Sequence, residues 1–276
     1  MDIGLTATQK QRLLELDAAE ELAGLRFPDA AERDRWFRAR EQELAAKNRE
    51  RLLRLRDDTR RPAIRILEDT LVGRLVDAGF VEVRTPTMLA KGMLAKMGID
   101  EQHPLYQQVY WVDRSTCLRP MLAPNLYHLL GHVSRGWPHP VRLFEVGSCF
   151  RKESKGSKHL SEFTMLNLVE LGTVDTPELR LRELAALVMG AAGVDYELEQ
   201  ETSEVYGTTL DVVVGGVEVA SGATGPHPLD ARWSLADNWA GLGLGLERLV
   251  MVAEGFTNIR RAGRSLSYLD GARINV

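Results

Sequence analysis

Cysteine is scarce. Cys117 and Cys149 are the only two in 276 residues, too few for a disulfide framework and without the C-x-x-C spacing of a metal site. Both are expected to be reduced and buried. No apolar run approaches the ~18 residues of a membrane span, and the start MDIGLTATQKQR lacks the apolar core of a secretory signal. The expectation is a cytoplasmic protein with no membrane partner. The net charge is only −4, which excludes a uniformly basic nucleic-acid binder. There is no internal repeat and no low-complexity linker. What remains, 44% hydrophobic and 27% charged, is the composition of a globular chain long enough to bury a large core.

The small net charge averages over uneven segments. Between Lys47 and Arg65 eight basic residues stand against Glu50, Asp57 and Asp58, a local excess of +5. That run reads as a solvated helix face or as a phosphate-backbone contact. Residues 7–59 read as helix almost throughout, with an apolar stripe starting at Leu13, Leu14 and Leu16 and a break at Phe27-Pro28-Asp29. This front end, residues 1–60, is expected to have little core of its own and to pack as an appendage on a main domain over 61–276. From Pro62, a favoured first-turn residue, Ile64, Leu67, Leu71, Leu75 and Val76 keep helical spacing until Gly79.

VEVRTP is then a short strand stopped by Pro86. Strands dominate the rest: QQVYWVD, CLRPML, VRLFEVGSCF, EFTMLNLVEL, YELEQE, TLDVVV, VEVASG and GLGLGL, with helices at about 124–133, 176–192 and 246–254. Strands 141–150 and 162–171, joined by a short charged loop, suit an antiparallel hairpin rather than a crossover. The expected fold class is α+β: a mostly antiparallel sheet flanked by helices, preceded by a short helical appendage.

Three stretches carry chemistry. In FRKESKGSKHLSEFTMLNL, Arg151 and Glu153 share a strand face, and the loop offers two lysines, a glycine and His159. Such a loop can fold over a polyphosphate while the Arg holds a phosphate or carboxylate bidentately. An ordinary hairpin with a solvated tip stays open. GLGLGLERLV misses the dinucleotide pattern because Leu246 occupies the place of the third glycine. Glycines 241, 243 and 245 instead strip one strand face, against which a flat ligand can lie. Glu247 and Arg248 open a helix there, and its guanidinium can reach a purine or a phosphate. A glycine-rich strand packed under a helix is the alternative, but it leaves the Arg unexplained. In VEVASG, preceded by Asp211, Glu218 and Ser221 can give oxygen ligands to a Mg²⁺ carried by a nucleoside triphosphate. A lone strand Glu is more often a surface residue.

In order and spacing, the helix into VEVRTP, FRKE followed by EFTMLNL, and GLGLGLERL resemble motifs 1, 2 and 3 of class II aminoacyl-tRNA synthetases. More narrowly, RPMLAPNLY, FRKES…HL-x-EFTMLNL, VYG-x-TLDV and SLSYLDGARIN look like the catalytic domain of the pyrrolysyl-tRNA synthetase family. The likeness runs over essentially the whole chain and is greatest to short forms without a fused N-terminal tRNA-binding domain. It implies activation of pyrrolysine with ATP and Mg²⁺, and esterification to the 3′ end of a cognate suppressor tRNA. By this resemblance Arg151 is the catalytic residue at the α-phosphate. Glu153 and Phe163 hold adenine, His159 and Leu160 line the nucleotide, Arg248 grips the far phosphate, and Glu218 and Ser221 carry Mg²⁺.

The resemblance also implies an amino-acid pocket of Ala123, Leu126, Tyr127, Leu130, Val169, Trp239 and Gly241. In it Asn167 reads the side-chain amide and Tyr206 closes over the ring. Val169 stands where some relatives carry Cys, and Gly222 and Thr224 are expected to modify the cavity. For tRNA it implies Arg49, Arg51, Arg54, Arg56 and Arg60, with Arg260 to Arg264 as a further basic stretch. It further implies a homodimer, for which Leu67, Leu71 and Leu75 are interface candidates or plain core. Some relatives use a separate tRNA-binding protein. Two rivals stand beside this reading: a class II synthetase for another amino acid, such as a phenylalanyl-like enzyme, and a synthetase-derived binding protein without activation chemistry.

Overall fold

The computed structural model describes residues 2–18, 22, 24–152, 159–173 and 176–276. In chain order its elements begin with α1 (Ala7–Glu15), α2 (Ala30–Arg54), α3 (Ala63–Asp77), β1 (Val81–Glu82), β2 (Met88–Ala90), α4 (Lys91–Lys96), α5 (Pro104–Gln107), β3 (Thr116–Leu118) and α6 (Ala123–Val133). They continue with β4 (Val141–Phe150), β5 (Glu162–Leu171), α7 (Pro177–Ala192), β6 (Glu197–Ser203), β7 (Gly207–Val214), β8 (Val217–Gly225), β9 (Trp239–Gly245), α8 (Leu246–Ala253), β10 (Tyr268–Leu269) and β11 (Ala272–Arg273). No helix among the described residues is long and apolar enough to cross a membrane.

Seven strands form one sheet in the order β1-β4-β5-β9-β8-β7-β6. Only the short β1 runs parallel to its neighbour; the other pairs are antiparallel. Side chains alternate faces along each strand. Leu166, Leu168, Ala240, Leu242 and Leu244 share one face and pack with buried residues of α3, α7 and α8. Leu71 and Leu75 are fully buried in this core, so of the two readings of the α3 leucines the interior one holds for them, and a second copy cannot reach them. Leu67 is partly buried against the same core. The opposite face carries Leu143, Val169, Ala223 and Trp239 and packs under α6.

QQVYWVD is not a strand. Pro104 starts the one-turn α5, His103 Nδ1 accepts from the Leu105 amide at 3.1 Å, and only an isolated bridge joins Trp111 to Cys117. Proline pre-set in a first turn outweighs a weak alternation of apolar residues. Cys117 and Cys149 are buried free thiols; burial pushes the first up to about 11 and the second up to about 12.

The front end has more core than its polar sequence promises. Thr6 and Gln9 form a capping box at α1, and Asp29 caps α2 by accepting from the Glu32 amide. Leu5, Leu13, Leu16, Phe27 and Leu44 then pack together, with Trp36, Phe37 and Val276 against them. Contacts to the C-terminal segment run through the buried Asn48. It donates to the carbonyls of Leu16 and Leu44 and accepts from the Arg273 amide at 2.6 Å and from Arg261 at 3.3 Å. Asn48→Ala would leave those buried groups short of partners. The expected loss is about 1–3 kcal/mol, read by urea unfolding, with faster amide exchange in α1 and α2.

The same junction absorbs two of the arginines expected to face tRNA. Arg51 lies over the Phe256 ring at 4.6 Å, pairs with Glu254 at 2.7 Å and donates to the Asp270 carbonyl. Arg261 is only 4% exposed. Both are structural. Arg49, Arg54, Arg56 and Arg60 remain exposed, Arg56 in an ion pair with Asp57.

Candidate active site

Strand register decides which side chains meet. Met165, Asn167 and Val169 of β5 lie opposite Gly245, Gly243 and Gly241 of β9. Ser221 and Ala223 of β8 lie opposite Gly243 and Gly241 on the far side. The glycines thus form a trough between β5 and β8, open because β9 has no side chains on that face beyond Trp239. From Phe163 to Val169 is six residues, about 20 Å at ~3.4 Å each.

Glu218 and Ser221 are three residues apart, a spacing that would place them on opposite faces of a regular strand. A bulge corrects this: Val212 pairs with Ala220 but Val213 pairs with Glu218, leaving Val219 as the extra residue. Glu218 and Ser221 therefore share a face with Val213 and Asp211. Gly222 and Thr224, by contrast, register with the helix-covered face, where a Cβ on Gly222 would run into Leu181 of α7. Gly222 still lines the cavity, whereas Thr224, contrary to expectation, does not.

A cavity of about 460 Å³ occupies the trough, within the range of small-ligand sites. Every residue predicted for the ATP and amino-acid sites lines it, apart from Glu153, which lies outside the described residues. One end is cationic. Arg151 follows β4 directly; its Nε donates to the Pro120 carbonyl at 2.9 Å, and its guanidinium lies 5.4 Å from the Phe163 ring centroid. Arg248, in the first turn of α8, is 3.4 Å from the Glu218 carboxylate and donates to the Glu218 carbonyl at 3.3 Å. His159 and Leu160 line the same end, with Leu160 packed near Gly263. The neighbouring Glu247 is buried and does not face outward as a ligand. Both of its oxygens accept from the Thr164 amide, at 2.9 and 2.8 Å, and burial pushes its carboxyl above the ordinary range.

Among the described residues no group of three His, Cys, Asp or Glu could hold a metal alone. Glu218 and Ser221 nevertheless offer two hard oxygens on one face, and the Ser221 hydroxyl spends its proton on Asp211 Oδ1 at 2.6 Å, keeping its lone pairs. That donor set fits a Mg²⁺ that brings phosphate oxygens with it.

The other end is apolar and aromatic. Ala123, Leu126, Tyr127 and Leu130 project from α6 towards Val169 and Trp239. Tyr127 stacks on Trp233 with centroids 5.7 Å apart and meets Trp239 edge-on at 5.6 Å; Tyr206 meets Trp239 edge-on at 6.3 Å. The Trp239 indole donates to Asp230 Oδ2 at 2.9 Å, which fixes the ring. Burial, reinforced by the Asp230 charge, raises the pKa of both Tyr127 and Tyr206, so both phenols stay neutral. Midway stands Asn167, whose buried Oδ1 has no partner among the described residues. A Cβ on Gly243 would sit 3.1 Å from Asn167 Nδ2. Gly243→Ala is therefore expected to displace that amide by a few tenths of an ångström and raise the amino-acid KM roughly tenfold, with little change in melting temperature.

Several lining residues escaped the sequence reading. Met165 is two positions from Asn167, so parity alone marks it. Thr209, buried, and Ala223 follow from register once β7 and β8 are paired. Asp230 and Trp233, which do not line the cavity but contact Trp239 and Tyr127, carry no such signal.

A family model described as the phenylalanyl tRNA synthetase beta chain CLM domain matches residues 54–223, more than half the chain. A crystal structure of pyrrolysyl-tRNA synthetase from Desulfitobacterium hafniense superposes with a TM-score of 0.93 at 50% identity, covering 99% of each chain. A second structure, of a pyrrolysyl tRNA synthetase from the same organism, gives 0.92 at 49% identity, covering 99% of this chain and 96% of that one. A curated threonine–tRNA ligase from Cupriavidus necator is 33% identical over 98 residues, 34% of this chain. The chain spans 15% of that ligase's length.

Proposed function

The chain belongs to the pyrrolysyl-tRNA synthetase family of class II aminoacyl-tRNA synthetases, and from that premise we propose that it activates pyrrolysine with ATP and esterifies it to the 3′ end of a cognate tRNA. One observation carries the reading: a single trough joins a cationic end at Arg151 and Arg248 to an apolar aromatic end, with one unpartnered amide, Asn167, between them.

Attack of a carboxylate on the α-phosphate brings two anions together, so the chain's task is positioning and charge neutralisation. Arg151, aimed by the Pro120 carbonyl, holds the α-phosphate through the transition state. Arg248 takes the far phosphate, exchanging its contact with Glu218 for it. Phe163 is the surface for the adenine ring, and His159 and Leu160 flank the nucleotide. Glu218 and Ser221 would hold Mg²⁺, which when bound neutralises phosphate charge. At the other end, Asn167 hydrogen-bonds the side-chain amide of the amino acid, and Leu126, Leu130, Val169 and Trp239 surround the rest under Tyr206. Free lysine would set an ammonium against Leu126, Leu130, Val169 and Trp239, none of which can pair with it, and is rejected.

ATP–pyrophosphate exchange across an amino-acid panel tests the reading. Pyrrolysine should drive exchange; lysine or phenylalanine driving it instead would overturn the assignment. Phenylalanine matters because of the family model matched over residues 54–223.

For tRNA, the exposed Arg49, Arg54, Arg56 and Arg60 are the phosphate contacts we assign to the front helices. Replacing Arg49, Arg54 and Arg60 by Ala should weaken tRNA binding and flatten the log affinity against log salt slope by up to about 0.9 for each phosphate no longer neutralised. A gel-shift titration at several salt concentrations reads it. The homodimer, a separate tRNA-binding protein and a cytoplasmic location belong to this proposal as well. On α3 the exposed Ile66 and Val76 are what a second copy would cover.

A further inference from the structure

Beside the trough lies a buried polar cluster drawn from VEVRTP, RPMLAPNLY and the strand ahead of FRKE. Arg119 and Glu145, 3% and 1% exposed, pair at 2.7 Å. Thr85 Oγ1 is shared by both: it donates to Glu145 Oε2 at 2.6 Å and accepts from Arg119 at 3.0 Å. It also accepts from Asn125 Nδ2 at 2.7 Å. A hydroxyl has one proton and two lone pairs, and here all three are used. β4 makes room for the guanidinium with Gly147, where a Cβ would collide with Arg119.

Two arms leave this hub. Asn125 sits in the first turn of α6, two residues after Ala123 and directly before Leu126 and Tyr127, and also donates to the Pro86 carbonyl at 3.1 Å. The second arm is Arg119 itself, whose Nε donates to the Ser148 carbonyl at 2.9 Å and whose own carbonyl accepts from the Phe150 amide at 2.9 Å. The next carbonyl, that of Pro120, holds Arg151 Nε. One hydroxyl thus connects the helix that walls the apolar end to the turn that aims the cation at the other.

We propose that Thr85 is a positioning residue of the activation reaction, its hydroxyl setting α6 through Asn125 and the Arg151 guanidinium through Arg119 and the Pro120 carbonyl. This rests on the reading of the trough as the activation site. Thr85 itself does not line the cavity. Thr85→Val keeps the shape and removes the hydroxyl; a misplacement of the order of 1 Å can cost about 10²-fold in kcat/KM. The loss should divide between a lower kcat and a higher amino-acid KM, with the ATP KM changed less, because Arg151 hangs from the hub while Phe163 and Arg248, also assigned to ATP, do not. Thr85→Ser should restore both constants. Asn125→Ala, which cuts only the arm to α6, should raise the amino-acid KM.

A purely structural role would lower the melting temperature and leave kcat and both KM values per folded enzyme as in the wild type; that result overturns the proposal. So does a Thr85→Ser variant as impaired as Thr85→Val, or an Asn125→Ala variant with an unchanged amino-acid KM. Wild-type exchange with pyrrolysine is run alongside. Its absence would sink the functional reading, whereas equal activity of wild type and Thr85→Val sinks the positioning role alone.

Discussion

Arg151→Ala is expected to lower ATP–pyrophosphate exchange by about 10²–10³-fold, the cost of removing one preorganised group that meets charge developing in a transition state. The residue is held for that purpose. Its amide donates to the Ser161 carbonyl at 3.0 Å, its Nε is fixed on Pro120, and its guanidinium lies by Phe163 in the cavity. Arg151→Lys should recover little, because an ammonium is a point charge and cannot both keep the Pro120 contact and fork onto a phosphate. The fold should survive, since Arg151 is partly exposed and stands beyond the end of β4. Unchanged near-ultraviolet circular dichroism would establish that. Activity within tenfold of wild type would remove Arg151 from the chemistry.

The hairpin that carries Arg151 was legible because its signal is local. Apolar alternation sets the two strands at 141–150 and 162–171, and these are the bounds of β4 and β5. The glycine face of β9 was legible for the same reason: parity needs no partner strand. The bulge at Val219 was not, because nothing in VEVASG distinguishes a strand with an extra residue until β7 is laid beside it. Nor was the front-end core, which joins Leu13 and Phe27 to Val276 across nearly the whole chain. The α3 leucines show the limit of periodicity, which says that a stripe is buried but not whether by α7 or by a second copy. Arg51 shows the limit of charge counting: eight basic residues in a run do not reveal that one lies on Phe256. The Thr85 hub had a faint trace in Glu145, a carboxylate inside the apolar run VRLFEVG, yet its partners come from residues 26 and 60 positions away.

That carboxylate sets up the largest stability effect. Glu145→Ala should destabilise the chain by about 3–5 kcal/mol, because it leaves the Arg119 guanidinium buried without an anion. The remaining acceptors, the Ser148 and Thr85 carbonyls and the Thr85 hydroxyl, satisfy hydrogen bonds but carry no charge. A second ion pair, between β4 and β5, is the internal control. Glu170 is as buried as Glu145 but accepts from two cations, Arg142 at 2.6 Å and Arg180 at 2.9 Å, and Arg142 is one-third exposed. Arg142→Ala leaves Glu170 still paired, so its cost should stay near the ~1 kcal/mol of a partly exposed bridge. Urea unfolding of the two variants separates one uncompensated buried charge from one compensated one. Adding Arg119→Met to Glu145→Ala should then recover most of the loss, since replacing both members of a buried pair by apolar groups is often close to neutral. Were the double variant no more stable than Glu145→Ala, the cost would lie in the missing hydrogen bonds of the hub rather than in the stranded charge.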